Sequence, residues 1–581
     1  EAELFDLRFT QSGDFLYIAH QAHHPAILKR TAATTFTLTN VPLEAGPWQE
    51  NNRDAEYKIS HNPLSGDVTL GASENTFTAY DDDDEGRMFG GSMNGLDVTG
   101  DIDSKWGWGR IDTYTNATTA DCAVELQHKF PATAGTPYND WVLGAFSADP
   151  AIGYPASVGF FESRLCWAAT VAQPDTFWGS ETAIYDSHLP HSLRDQTVID
   201  SHSVNYTLAG GQMNTIEWMF PLRSMILASA GSIHSIAGGG TNGLSPTSVD
   251  ARRITNTGSK AVEPVLVDTT LCYVTKFGTD MVGLKFSFSD DGFVPSNLTL
   301  LAGHILKSPV TQLSFAQSPN SLVHAVRTDG QIASLVLIPD QNVFGWSRQI
   351  LGGSFGTGNA VVESVATIPS PDESHDQTWA IVKRTINGAT KRYVEFFEDI
   401  FEEATDITDA YFVDSGITYD STAATSITGL DHLEGETVSI LADGMVAPDQ
   451  MVVNGAVTLA TAASTVQVGL AYNADIETLN LEANTQQGTR QGKLSRIARL
   501  AVRLHNTVGG KCGRDADNLD VLPGRTSATP MGTPVQPFTG DVAVPFNGGY
   551  EAEATMYFRQ DQPLPMTILA VMPEVGTGAR S

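Results

Sequence analysis

The chain is short of cysteine, of basic residues and of long apolar runs, and each shortage removes a class of protein. Four cysteines, Cys122, Cys166, Cys272 and Cys512, are scattered over 581 residues. No Cys-x-x-Cys pair and no Cys/His spacing of the zinc type occurs, so neither a disulfide scaffold nor a structural metal is expected. Cys166 and Cys272 fall in apolar strand patterns and are expected as buried free thiols, which suits assembly in a reducing cytoplasm. No stretch of about 18 apolar residues exists, so no transmembrane helix is expected. No basic-plus-apolar leader follows Glu1, and the chain opens on Glu rather than Met, as expected of a segment of a longer or processed product.

Lys and Arg number 34 against 67 Asp and Glu, a net charge of −33. Phosphate binding depends on Lys and Arg, so this surface repels nucleic acid rather than gripping it. Two readings stand. One is solubility or adaptation to salt water, which explains the charge alone; the other is a passage through which DNA slides without sticking. Hydrophobic residues make up 41% and charged residues 17%, which excludes a disordered chain and allows several domains with a large core. The 53 Gly and 28 Pro suit many short strands and turns.

Along the chain the pattern is strand and turn. Leu7-Arg8-Phe9-Thr10-Gln11-Ser12-Gly13-Asp14, Phe15 to His20 and Pro25 to Arg30 read as three strands. Residues 31–150 are polar and irregular, with strand-like alternation at Thr35-Phe36-Thr37-Leu38 and Val68-Thr69-Leu70, and read as an inserted β domain. Its run Asp81-Asp82-Asp83-Asp84-Glu85-Gly86 lacks the alternate spacing of a calcium loop and is expected to be a solvated loop. From 151 to 400 a unit recurs: strand, tight turn at glycine, strand. It is clearest at 270–284, 322–335 and 378–395, with Tyr273, His324 and Ala380 spaced by 51 and 56 residues. Asp-Gly and Asn-Gly favour hairpins because glycine accepts positive φ. That period is expected of propeller blades. Arg164 to Ala169 and Ile216 to Ser229 read as degenerate members, and Phe15 to Arg30 as a strand set that closes the ring across the insertion. Residues 401–581 form a C-terminal β domain, sandwich-like, with Asn454-Gly455 a type I′ signal. Lys493 to Asn506 fits both periods and is read as strand. The expected fold is all-β: first propeller strands at 1–30, an inserted β domain at 31–150, a β-propeller at 151–400, and the C-terminal domain.

Motifs for chemistry fail on context. Gly352-Gly353-Ser354-Phe355-Gly356 matches a nucleophile elbow, but a strand rather than a helix is expected after it. Gly488 to Leu494 is one residue too short for a phosphate loop and has Leu where Ser or Thr should stand. His20, His23 and His24 lack further converging ligands. No paired carboxylates stand out. No catalytic, cofactor or metal residues are expected.

One stretch carries a family resemblance. Tyr154-Pro155 leads into a strand ending Phe160-Phe161, then Arg164-Leu165, a small-residue strand, and Pro174-Asp175-Thr176-Phe177-Trp178-Gly179-Ser180. This is similar to the hallmark of the tail nozzle proteins of short-tailed bacteriophages, also called tail tubular protein B. The opening signature at Leu7 to Arg30 resembles theirs. So do Asn214-Thr215-Ile216-Glu217-Trp218, Leu244-Ser245-Pro246-Thr247-Ser248, Phe344-Gly345-Trp346-Ser347-Arg348 and Gln562-Pro563-Leu564-Pro565-Met566, in that order along the chain. In the family an N-terminal region precedes the opening signature; here Glu1 starts almost on it. Residues 31–150 match least. The resemblance implies a structural virion protein, assembled in the host cytoplasm and placed at the distal tail. It implies a homo-hexameric ring that meets tail adaptor proteins, holds tail fibres or spikes, gates the channel, and passes duplex DNA without specific binding. Contact with the bacterial envelope is indirect. The propeller is then the body and 31–150 a candidate fibre dock. Two other classes remain open: a propeller enzyme that degrades polysaccharide, and a receptor-binding adhesin. Arg164, between two apolar strands, is expected to pair with a carboxylate or carbonyls between blades.

Overall fold

The computed structural model describes residues 3–581 except 53, 63–65, 84–85, 93–105, 125–134, 136, 194, 210–213, 241, 403–404, 482–492, 523, 526–528, 531, 547 and 579–581. Among the described residues the regular structure is strand, with four 3-10 turns of three residues each. The chain divides into two compact units, Glu1–Gly303 and His304–Ser581.

The first unit contains four antiparallel four-stranded sheets, each a simple meander in sequence order. Blade 1 is Arg8–Ser12, Phe15–His20, His23–Ala32 and Thr35–Asn40; blade 2 is Ser157–Phe161, Arg164–Ala168, Thr176–Gly179 and Val204–Thr207. Blade 3 is Ile216–Pro221, Met225–Ser229, Ile233–Ala237 and Asp250–Thr255; blade 4 is Val265–Val267, Thr270–Val274, Met281–Ser287 and Gly292–Asn297. The burial gradient is that of propeller blades. In blade 2 the second strand is buried at every residue, while the fourth is half open to solvent. The first strands of blades 1, 2 and 3 lie side by side.

Thr35–Asn40 corrects the boundary drawn at residue 30. It pairs with His23–Ala32 as the outer strand of blade 1, so the insertion begins after Asn40. All six of its residues are exposed, so no buried face marked it as part of the blade. The insertion is one six-stranded sheet, ordered Asp140–Leu143, Met88–Ser92, Trp106–Asn116, Thr119–Val124, Gly66–Ala72, Ile59–Asn62. Its aromatic end shares a core with blades 1 and 2: Trp48 and Trp106 pack in the same cluster as Tyr17, Trp167 and Trp178. Asp81 also departs from expectation. It is fully buried, accepts the Thr78 N–H at 2.8 Å and pairs with buried Arg87 at 3.2 Å. An ion pair of this kind holds a loop that composition alone reads as solvated; Asp84 and Glu85 of that run lie outside the described residues.

The second unit opens with blade 5, Val310–Ala316, Leu322–Arg327, Ile332–Ile338 and Val343–Gln349, and the three-stranded blade 6, Val361–Pro369, Asp376–Ile386 and Ala389–Phe396. The hairpin glycines behave as their dipeptides require: Asn387 and Gly388 both take positive φ, 48° and 73°, as do Asn454 and Gly455, 53° and 65°. The region after 401 holds two groups of sheets, joined through a shared cluster of Ile407, Leu441, Val508 and Leu564. A four-stranded sheet, ordered Asp414–Thr428, Ala456–Leu470, Thr437–Ala442, Met445–Met451, packs Val438, Ile440, Val466 and Val468 in a core shared with Ile386 of blade 6. A sandwich follows, four strands against three, with Phe558 and Cys512 of one sheet packed on Leu500, Val502 and Leu504 of the other. Leu494–Thr507 is the central strand of the three. A register shift between Ile497 and Arg499 explains its double periodicity. The bulge places Ile497 and Leu500 on one side, three residues apart, which imitates a helical repeat.

Candidate functional site

The hallmark residues form a buried scaffold node in and around blade 2. Arg164 is 1% exposed. Its guanidinium donates to the carbonyls of Ser180 at 2.5 Å, Asp200 at 2.5 Å and His202 at 2.7 Å. These carbonyls belong to the long connection between the last two strands of blade 2, so Arg164 ties one blade to its own loop. The expected bridge between blades is corrected on this point, and the partners are carbonyls rather than a carboxylate. Leu165 and Ser180 are locked reciprocally: the Leu165 N–H donates to Ser180 Oγ at 3.0 Å and the Ser180 N–H to the Leu165 carbonyl at 2.8 Å. Trp178 Nε1 donates to the Trp48 carbonyl at 3.0 Å, which fastens the insertion to the blade. The Pro174 carbonyl accepts the Ile216 N–H at 2.9 Å, which fastens blade 3. Tyr154 and Pro155 are buried, and Tyr154 donates its N–H to the Gln21 carbonyl at 2.9 Å.

Ser354 is exposed in a two-stranded hairpin, Ser354–Phe355 with Gly358–Asn359, and no helix follows. The preceding Gly352 is instead clamped: its carbonyl accepts from Arg384 Nε at 2.8 Å and its N–H donates to Asp414 at 2.6 Å. Arg384, fully buried, grips Glu395 with both terminal nitrogens. Burial pushes the Asp414 carboxyl up to about 6. Most of the Gly488 to Leu494 segment lies outside the described residues. No group of three or more His, Cys, Asp and Glu able to hold a metal occurs among the described residues. The four cysteines are all buried free thiols, Cys166 and Cys272 being pushed up to about 12 by burial. No helix is long and apolar enough to cross a membrane among the described residues.

What sequence reading missed is a cleft of about 480 Å³ beside the inner strands of blades 1, 2 and 3. It gathers Arg8 from the opening signature, Tyr154 from the hallmark, and Thr215 and Glu217 from the Asn214 to Trp218 match. Three stretches separated by tens of residues thus meet, and only the order of the blades brings them together. Arg8 sits half-buried and spans the cleft. Its Nη1 donates to the carbonyls of Phe5 and Leu7 at 3.0 Å each, and its Nη2 to the Ala261 carbonyl at 2.9 Å. Its Nε is buried and has no partner among the described residues. Glu217 is half-buried, and desolvation raises its carboxyl against the opposing pull of Arg8. Glu263 is shifted upward for the same reasons, yet its side chain is exposed; solvent screens it, and Glu217 is the group that matters. Asp6 and Glu3 lie on the rim, Glu3 paired with His23 at 3.1 Å. His20, 8% exposed, accepts the Ala22 N–H on Nδ1 at 3.1 Å. A wider groove of about 720 Å³ runs beside blades 2 and 3, past Asp175, Tyr206, His234 and Arg253.

No family model matches the chain, and no curated protein matches it. Among solved structures, it is similar to a protein from Lactobacillus plantarum, a structural genomics target, at 13% identity over 66% of this chain and 98% of that one, with a TM-score of 0.28. It is also similar to a Trypanosoma rangeli sialidase in complex with sialic acid, at 9% identity over 96% of this chain and 90% of that one, with a TM-score of 0.23. Likeness at these scores carries no argument about activity.

Proposed function

We propose that the chain is a subunit of the distal tail nozzle of a short-tailed bacteriophage. It forms a homo-hexameric ring that extends the DNA ejection channel, meets the tail adaptor proteins, anchors fibres or spikes and closes the channel until infection. The observation that carries this reading is the ordered set of short sequence matches from Leu7 to Met566, centred on Tyr154 to Ser180. The hallmark side chains support it in kind: Arg164, Trp178 and Ser180 are spent on holding a blade, its loop and the insertion together. In this reading function lies in surfaces and a gate, and the insertion, now 41–150, is the fibre dock. The chain then acts without catalysis and without a cofactor.

Electron microscopy tests the proposal. Negative-stain images of the purified chain are expected to include six-fold rings with a central hole, and antibody against the chain is expected to label the distal tip of the tail. Labelling elsewhere on the particle, or absence of the chain from particles, overturns it.

A further inference from the structure

Two strand edges of this chain are open, and they match each other. Blades 1 to 5 have four strands each; blade 6 has three and ends on Ala389–Phe396. Blade 1 ends on Thr35–Asn40. Every residue of 8–40 and of 361–396 is described. In an antiparallel ladder alternate residues turn their N–H and C=O toward the partner strand, and the others turn them away. The Val41 N–H donates to the Pro25 carbonyl and the Phe397 N–H to the Thr378 carbonyl, which fixes that alternation in both blades. Phe36, Leu38 and Asn40 thus point their backbone groups off blade 1, and Val394 and Phe396 point theirs off blade 6. No described residue hydrogen-bonds to these groups. The side chains are open as well: Phe36 is 55% exposed, Leu38 65%, Val394 67% and Phe396 45%. Natural sheets guard such edges with charge, proline or shortness. The outer strands of blades 3, 4 and 5 carry Arg253, Pro295 and Arg348, and that of blade 2 has four residues. Thr35–Asn40 has no such guard, and on blade 6 Lys391 and Arg392 guard only the first half.

Charge points to the occupant. Two copies at −33 repel, and they approach most easily where acids are missing. No Asp or Glu lies between Asp14 and Glu44, nor between Asp376 and Glu395. Beside these edges Arg30, Lys383, Arg384 and Arg392 are ion-paired within the chain. We propose that the blade 1 edge of one copy pairs antiparallel with the blade 6 edge of a second copy, Phe36 opposite Phe396 and Leu38 opposite Val394. The outward backbone groups of the two strands then bond to each other, and the apolar side chains share one face. Leu38 extends the cross-strand pair of Val394 and Ile381, and Phe36 joins Phe396 and Trp379, whose rings lie 5.1 Å apart. Four strands of one copy and three of the next form a single sheet. Each copy offers one edge of each kind, so the contact runs head to tail and propagates into a ring or a filament. It supplies a subunit contact for the proposed nozzle ring, and only closure into six rests on that reading.

Sedimentation velocity of the full chain reads the contact. The parent is expected to self-associate with Kd on the order of 10 μM. Leu38→Lys and Val394→Lys each put a charge on an exposed edge, so both are expected to keep the parent's melting temperature. Each alone is expected to self-associate at least about ten-fold more weakly. Their equal mixture is expected to form dimers and nothing larger, because one intact edge of each kind survives. Differently tagged Leu38→Cys and Val394→Cys chains are expected to cross-link to each other on oxidation rather than each to itself, since directly opposite residues lie within disulfide range and the native thiols are buried. The proposal is overturned if the parent stays monomeric at about 100 μM, if Val394→Lys alone associates as the parent does, or if the mixture stays monomeric. A chain carrying both cysteines that closes the disulfide within itself also overturns it. Variants that behave as stated while antibody misses the tail tip leave the contact standing and remove the nozzle reading; tip labelling with unaffected variants removes the contact alone.

Discussion

Asp414 accepts the backbone N–H of Gly352 at 2.6 Å from a half-buried position. Two glycines that resemble an enzyme elbow in sequence thus form a fastened corner, held from the other side by Arg384. Burial raises the Asp414 carboxyl from 3.8 to about 6; Arg384 opposes the rise and Glu395 adds to it. The folded state therefore binds this proton more tightly than the unfolded state. The stabilisation is complete below pH 3.8 and is lost as pH climbs through 6. Asp414→Asn keeps an acceptor for Gly352 and removes the titration. Unfolding in urea is expected to show the variant more stable than the parent at pH 7.5, by up to about 3 kcal/mol, with the gap closing toward pH 4. An equal gap at both pH values would refute the assignment.

Arg164→Ala removes the donors for three carbonyls of the connection between the last two strands of blade 2. Stranding buried acceptors around a lost guanidinium costs about 3–5 kcal/mol. Soluble yield and melting temperature are both expected to fall. Arg164→Lys cannot reach all three acceptors and is expected to recover less than half the loss. A variant that melts with the parent would show that the node is idle.

The thiols supply a third test. All four cysteines are buried, and burial raises each above the ordinary thiol value, so little thiolate exists at neutral pH. A thiol-reactive dye is expected to label none of them in the native chain within minutes and all four in denaturant. Rapid native labelling at Cys166 or Cys272 would mean that blades 2 or 4 open readily.

The fourth prediction depends on the proposed assembly. Six copies at −33 bring a strong negative field to a channel little wider than duplex DNA, within the roughly 8–10 Å reach of unscreened charge. Carboxylates are expected to outnumber Lys and Arg on the surface nearest the six-fold axis, and gel-shift assays are expected to show no duplex binding at moderate salt. A basic or neutral lumen in a structure of the ring would leave the charge to solubility alone.

The all-β class and the hairpins at Asn387-Gly388 and Asn454-Gly455 could be read from the sequence by itself, because turn chemistry and period-two burial act over a few residues. Arg164 could be marked as structural for the same local reason: a guanidinium between two apolar strands must find partners. The identity of those partners could not be read, since the carbonyls of Ser180, Asp200 and His202 approach only when a long loop folds back. Thr35–Asn40 alternates as a strand should, but with no buried face nothing in the sequence says which sheet it joins. Leu494–Thr507 stayed ambiguous because a bulge shifts the period midway. The cleft was invisible for a different reason. Arg8, His20 and Glu217 are unremarkable in their own neighbourhoods, and they line one cleft only after successive blades place their inner strands side by side. Local sequence determined the elements; the tertiary structure decided which distant residues meet, because only the stacking of blades brings their side chains together.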